Sequence, residues 1–84
     1  MFKVEFSEHS LSDLKKLPKD IQKRIIKKIQ FYSSQKDIIA FSKPLVDIPP
    51  STHRFRVGNY RIAFHSDKQT VFIDRIRHRK EVYL

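Results

Sequence analysis

Apolar and polar residues alternate at the start of the chain. Phe2, Val4 and Phe6 are separated by Lys3 and Glu5, the period of two expected of a strand with one buried face. Ser7 or Ser10 can then cap a helix, since Ser10 is followed three residues later by Asp13, close to the spacing of a capping box. Leu11, Leu14 and Leu17 supply an apolar edge at helical spacing, and Pro18 ends this helix while suiting the first turn of the next. The clearest element is a helix over about residues 19–34. Ile21, Ile25, Ile29 and Tyr32 fall at i, i+4, i+8 and i+11, Ile26 widens the stripe, and Lys19, Lys23, Arg24, Lys27 and Lys28 occupy the rest.

Residues 35–51 read as a linker. Pro44, Pro49 and Pro50 interrupt regular structure, Asp37, Asp47 and Ser51 favour turns, and a short helical turn fits near Ile38–Phe41. Three strands follow in quick succession. His53–Val57 runs into Gly58-Asn59, a two-residue loop with the chemistry of a type II′ or I′ turn, and Tyr60–His65 returns from it. Ser66-Asp67-Lys68-Gln69 makes a second turn before a last strand, Thr70–Arg77, rich in β-branched and aromatic residues. The predicted order is β-α-α-β-β-β. This is an α+β fold, with a helical hairpin packed on one face of a small, mainly antiparallel sheet.

A chain of 84 residues holds a single domain, here residues 1–84, and its 39% apolar content with seven Phe suffices for one core. The absence of cysteine excludes disulfides and thiolate metal sites and fits a reducing compartment. No segment approaches the ~20 apolar residues of a membrane span, and the opening MFKVEFSEHS lacks a signal-peptide apolar region, so a cytoplasmic protein is expected.

Charge changes the picture most. The net +9 favours polyanionic partners. Its distribution is uneven: from Thr52 onward the basic residues are Arg54, Arg56, Arg61, Lys68, Arg75, Arg77, Arg79 and Lys80, against Asp67, Asp74 and Glu81. The earlier part of the chain is Lys-rich, with Arg24 its lone Arg. Guanidinium forks suit bidentate phosphate contact and stack on bases, whereas Lys acts mainly as a point charge.

The Gly58-Asn59 loop fixes a register in which Val57 pairs with Tyr60, Arg56 with Arg61, Phe55 with Ile62 and Arg54 with Ala63. One face then carries Phe55, Val57, Tyr60, Ile62 and Phe64 toward the helices, and the other carries Arg54, Arg56 and Arg61. Like charges directly opposite weaken a hairpin. Selection for stability alone would more often favour Thr, Glu or Lys/Glu pairs there, so the face is either a solvent-facing polar side with chance Arg usage or, the reading favoured, an Arg-lined face on which phosphate oxygens bridge guanidinium groups. The C-terminal segment adds Arg77, His78, Arg79 and Tyr83. Tyr83 is placed either to stack on a base or, with Val82 and Leu84, to tack the tail onto the core. The lysines of the second helix form either a solvated back to a core stripe or a contact for RNA; nothing else in the sequence suggests lipid.

The run R-x-R-V-G-N-Y-R-I and the ending H-R-x-x-x-Y, on a β-α-α-β-β-β chain of this size, resemble the RelE/ParE toxin superfamily, and RelE-like toxins most closely. The resemblance spans essentially the whole chain. The hairpin motif is shared with gyrase-poisoning ParE toxins, which usually lack the R-x-x-x-Y ending. The resemblance implies a toxin of a type II toxin–antitoxin system that cleaves mRNA in the ribosomal A site and is held in check by a RelB-type antitoxin. The 2′-hydroxyl attacks the adjacent phosphate in that chemistry. By position, Arg54 and Arg56 take the places of the paired basic strand residues, Arg61 that of a phosphate binder, Arg79 that of the tail acid and transition-state clamp, and Tyr83 that of the stacking aromatic. Lys19, Lys23, Lys27 and Lys28 are expected to contact ribosomal RNA or the antitoxin.

The chain departs from its best-known relative, which has Lys at both strand positions where Arg stands here. A guanidinium is a poor proton acceptor but can stabilise developing negative charge. Either His78 or His53 is the base, or activation is mostly electrostatic and positional, and the second is the reading adopted. Other relatives use a Glu base with a tail His; the matching strand here has no Glu, while His78 can fill the His place. Two rival readings are a ParE-like gyrase inhibitor without catalysis and an inactive RNA-binding module. Metal chemistry is not expected, because His9, His53, His65 and His78 lack ligand spacing. No cofactor is expected either, since a chain with one Gly has no glycine-rich phosphate loop.

Overall fold

A computed structural model describes residues 1–81. Strand β1 (Lys3–Phe6) leads into helix α1 (Glu8–Lys15) and helix α2 (Lys19–Ser33). A 3-10 turn at Ile39–Phe41 precedes the two-residue strand β2 (Lys43–Pro44), then β3 (His53–Val57), β4 (Tyr60–Asp67), β5 (Thr70–His78) and a last 3-10 turn, Arg79–Glu81. The strands form one sheet in the order β1-β5-β4-β3-β2. Only β1 and β5 run parallel; the other neighbours are antiparallel. This is the expected α+β arrangement, enlarged by β2.

Of the two candidate caps, Ser7 starts α1: its hydroxyl accepts the N–H of Ser10 at 3.0 Å. Ser10 lies buried one turn in, donating to the Ser7 carbonyl. Pro18 caps α2 without a side-chain bond, and Gln22 turns back to donate to the Leu17 carbonyl. The apolar stripe of α2 places Ile25 and Ile29 in a core with Phe55, Ile62, Phe64 and Ile73. Phe55 and Phe64 stack at 4.1 Å between ring centroids, both essentially without solvent contact.

Three expectations from the sequence are corrected. The linker is not loosely ordered, since Ile38 is buried in the core and Lys43–Pro44 pair with Arg54 and His53. Proline is tolerated there because β2 is an edge strand. The second hairpin is longer than expected: β4 reaches Asp67, β5 starts at Thr70, and the turn is Lys68-Gln69, with Lys68 left-handed at φ 56°. Finally, β5 contains a bulge. Ala63 pairs with Arg75 but Phe64 pairs with Ile73, leaving Asp74 without a partner across the sheet. The bulge lets Ile73 and Ile76 both face the core although they are three residues apart.

Candidate functional site

The site is built on the β3–β4 turn. Gly58 has φ 58° while Asn59 does not enter the left-handed region, the pattern of a type II′ turn, whose first central position calls for Gly. The register is the expected one, with Val57 opposite Tyr60, Arg56 opposite Arg61, Phe55 opposite Ile62 and Arg54 opposite Ala63. Neighbouring strands extend it into two cross-sheet rows. One runs Arg56, Arg61, Arg77; the other runs Lys43, Arg54, Ala63, Arg75. Residues directly opposite share a face, so both rows lie on the face opposite the one that carries Phe55, Ile62 and Phe64 into the core. Ala63 is fully buried between its longer neighbours.

Arg54, Arg56 and Arg61 line one cavity of about 270 Å³, closed on the far side by Phe41, Ser42 and Lys43. The Arg61 guanidinium is held over the turn, donating from Nη1 to the carbonyls of Gly58 at 3.2 Å and Tyr60 at 3.3 Å. Burial first, and then the charges of Arg56, Arg54 and Arg79, pull the Arg61 pKa below its usual value. The neighbouring cations thus add to the effect of burial, and the guanidinium still stays protonated at neutral pH. Arg79 thus lies within electrostatic reach of the cluster, its N–H tied to the Asn59 carbonyl at 2.7 Å. Among the described residues, Arg54, Arg56 and Arg61 make no ion pair with any acid.

The β5 end of the same face is organised differently. Arg75 donates to the Asp13 carboxylate from Nε at 2.9 Å and from Nη2 at 3.2 Å, and the Ile76 N–H donates to it at 3.0 Å. Burial by itself raises the Asp13 pKa. The bonds from Arg75 and Ile76 and the charges of Arg75 and Arg77 outweigh it and hold the carboxyl below its ordinary value. Asp74, freed by the bulge, accepts from the Ser51 hydroxyl at 2.7 Å and meets His65 Nδ1 at 2.8 Å. Ser51 bonds to the carboxylate and not to the imidazole, so this trio lacks the contact that would activate a serine nucleophile. A second cavity, about 600 Å³, is lined by Ser7, His9, Pro49, Asp74, Arg75 and Arg77 among others.

The structure thus brings Arg54, Arg56 and Arg61 together with Arg79 nearby, and sets Arg77 opposite Arg61 but in the wall of the second cavity. The two candidate histidines stand elsewhere. His78 pairs with Tyr60 and packs edge-on against its ring at 5.3 Å, and His53 pairs with Phe64, its Nδ1 2.9 Å from Thr52 Oγ1. By register both belong to the face of Phe64 and Tyr60, opposite the rows that carry Arg54, Arg56 and Arg61. Lys19, Lys23, Lys27 and Lys28 are exposed on α2, on the helical side of the molecule. Tyr83 lies outside the described residues. Sequence reasoning missed Lys43 and Phe41, which the linker delivers to the rim of the cavity. The Lys-Pro pair entering an edge strand was the available signal. Among the described residues no group of three His, Asp or Glu gathers closely enough to hold a metal ion, and no helix is long and apolar enough to cross a membrane.

Comparison with known proteins agrees with this geometry. Residues 4–83 match the family model described as ParE toxin of type II toxin-antitoxin system, parDE. The chain is 36% identical over 84 residues to Toxin RelE3 of Methanocaldococcus jannaschii, covering 96% of this chain and 94% of that protein. Among solved structures, the toxin–antitoxin complex RelBE2 of Mycobacterium tuberculosis is similar at a TM-score of 0.76 and 29% identity, over 92% of this chain and 96% of that one. The RelB–RelE antitoxin–toxin complex of Methanococcus jannaschii is similar at a TM-score of 0.64 and 33% identity, over 89% and 90%. A two-helix layer on a five-stranded sheet, a tight hairpin loaded with arginine and a family match across nearly the whole length agree: the chain belongs to the RelE/ParE family of toxins of type II toxin–antitoxin systems.

Proposed function

We propose that this toxin is a ribosome-dependent endoribonuclease that cuts mRNA in the A site and is neutralised by a RelB-type antitoxin. The observation that carries the reading is the arginine cluster: Arg54, Arg56 and Arg61 share one cavity wall and, among the described residues, make no ion pair with an acid, while Asp13 and Asp74 are engaged at the β5 end. A phosphodiester entering that cavity meets fixed cations that gain in effect as water leaves. When a 2′-hydroxyl attacks the adjacent phosphorus, negative charge grows on the non-bridging oxygens, and the three guanidinium groups stabilise it. The 2′-hydroxyl proton passes to solvent water as the new P–O bond forms, and the 5′-oxygen leaves with the electron pair of the broken P–O bond and takes up a proton from water. Arg79 is suited to steady that leaving oxygen, and Tyr83 to stack on a neighbouring base. Guanidinium groups do not accept the hydroxyl proton, so the rate enhancement comes from charge stabilisation and positioning. The exposed lysines of α2 are assigned to ribosomal RNA or the antitoxin. Solved relatives bound to RelB antitoxins support the antitoxin half of the reading.

The test is primer extension on mRNA recovered from a translation reaction with and without the protein. Stops within codons, dependent on ribosomes, are expected. The match to a ParE model favours one rival, inhibition of DNA gyrase without catalysis. Intact mRNA together with trapped gyrase–DNA complexes would select it.

A further inference from the structure

We infer that Phe41 is a stacking platform for one unpaired nucleobase, placed beside the phosphate held by Arg54, Arg56 and Arg61; the identity of the polymer as RNA rests on the function proposed above. Phe41 is the aromatic member of the wall of that cavity. It keeps 42% of its surface exposed, whereas Phe55 and Phe64 are at 1% and 0%. A half-exposed phenyl ring in a wall shared with three guanidinium groups suits a nucleotide, which carries a flat π face and an anionic phosphate on one small frame. The cavity, about 270 Å³, lies just below the range of about 300–1,000 Å³ usual for drug-sized ligands, which fits a single nucleotide better than a folded peptide segment.

The ring is held in place from behind. Phe31 meets it edge-on at 5.9 Å and 82°, and Tyr32 lies tilted against it at 5.8 Å. Tyr32 in turn stacks on buried Phe55 at 4.5 Å, and its hydroxyl donates to the Arg56 carbonyl at 3.3 Å. The platform and the strand carrying Arg56 therefore belong to one packed frame, so stacking a base costs little ordering of the protein. Lys43, two residues on, faces Arg54 in register and adds a fourth cation to the phosphate side.

The test uses the full chain and a single-stranded RNA trinucleotide, with a 2′-deoxy sugar at the scissile position, in a version with all bases and a version abasic at the central nucleotide. Binding is followed at low salt, and folding of each variant is checked by thermal melting. The wild type is expected to bind the complete RNA roughly tenfold more tightly than the abasic one, the scale of one base–aromatic stack. Phe41→Ala is expected to erase that preference while leaving abasic binding unchanged, and Phe41→Tyr to keep it. No RNA binding by the wild type, equal weakening of both RNAs, or Phe41→Leu behaving like Phe41→Tyr overturns the platform. So does loss of antitoxin binding in Phe41→Ala with base preference intact, which assigns the ring to protein docking. The two readings fail separately. A base preference dependent on Phe41 in a protein that cuts no mRNA keeps the platform and removes the nuclease. Cleavage on ribosomes without base preference does the reverse.

Discussion

Arg56→Thr is expected to make the protein more stable and inactive together. Arg56 is exposed and stands directly across from Arg61, and its side chain makes no ion pair among the described residues. Cβ atoms of such a pair lie about 5 Å apart. With the charges about 6 Å apart in water, the repulsion is about 0.7 kcal/mol unscreened and roughly half that at physiological salt. Arg54 and Arg79, which also act on Arg61, add smaller amounts. Thr is well suited to a strand, and the Tyr32 hydroxyl bonds to the Arg56 backbone carbonyl, which the substitution leaves in place. The gain is therefore about 0.5 kcal/mol, or roughly 2–4 °C in Tm for a domain of this size. Thermal unfolding followed by circular dichroism at about 0.01 M and 1 M salt checks it, since the Debye length falls from about 30 Å to 3 Å between them. The variant should melt higher at low salt and equal to wild type at high salt. A Tm that drops, or a difference indifferent to salt, refutes the argument that these cations are held together against their own repulsion.

Arg61→Ala or Arg79→Ala is expected to relieve growth arrest, with cleavage falling about 10²–10³-fold, while antitoxin co-purification persists; full toxicity in both removes the assigned site. Lys43→Arg should retain most of the cleavage rate and Lys43→Ala lose about tenfold, measured by single-turnover cleavage on ribosomes, because the position supplies charge; loss in Lys43→Arg as well would show that proton transfer at this amine matters. Asp13→Asn should flatten the acid limb of stability. The folded pKa of Asp13 lies below the unfolded value of about 3.9, so its contribution is present above that value and disappears as pH falls through the folded one. Wild-type and variant melting curves should converge at low pH, and a constant gap down to about pH 2 would remove Asp13 as its source. Gly58→Ala should cost about 1 kcal/mol, for backbone reasons alone, as its added Cβ meets only the Arg24 guanidinium at 3.7 Å. Lys68→Gly should lose nothing or gain up to about 0.5 kcal/mol by denaturant titration, since Lys68 already occupies the left-handed region.

The parts of the fold that were legible in the sequence were those governed by local rules. The stripe from Ile21 to Tyr32 gave α2, and Gly58-Asn59 gave both a turn and a register, hence the grouping of Arg54, Arg56 and Arg61. What was not legible depends on contacts distant in sequence. The pairing of Lys43 with Arg54 sets a linker residue beside the strand arginines across an edge, and no local period announces it. The bulge at Asp74 breaks the alternation of β5 and shows itself only in the pairing of β5 with β4. The two histidines, secondary candidates beside the electrostatic reading, follow the same alternation rule. His53 and His78 sit at strand ends, where chemistry makes them attractive candidates, but alternation carried through from Phe55 and Ile76 already assigns them to the face of Phe64 and Tyr60.

The placement of acids explains how one small sheet face can be both stable and charged for binding. At the β5 end, Asp13 neutralises Arg75 while taking up the Ile76 N–H, and Asp74 joins Ser51 to His65, so the bulged strand, the linker and α1 are tied together. At the β3 end the same face carries Lys43, Arg54, Arg56 and Arg61 without acid partners among the described residues. Under the proposed function the uneven distribution has a use: acids fix the β5 end, and uncompensated charge stands at the β3 end where a polyanion would supply the partner.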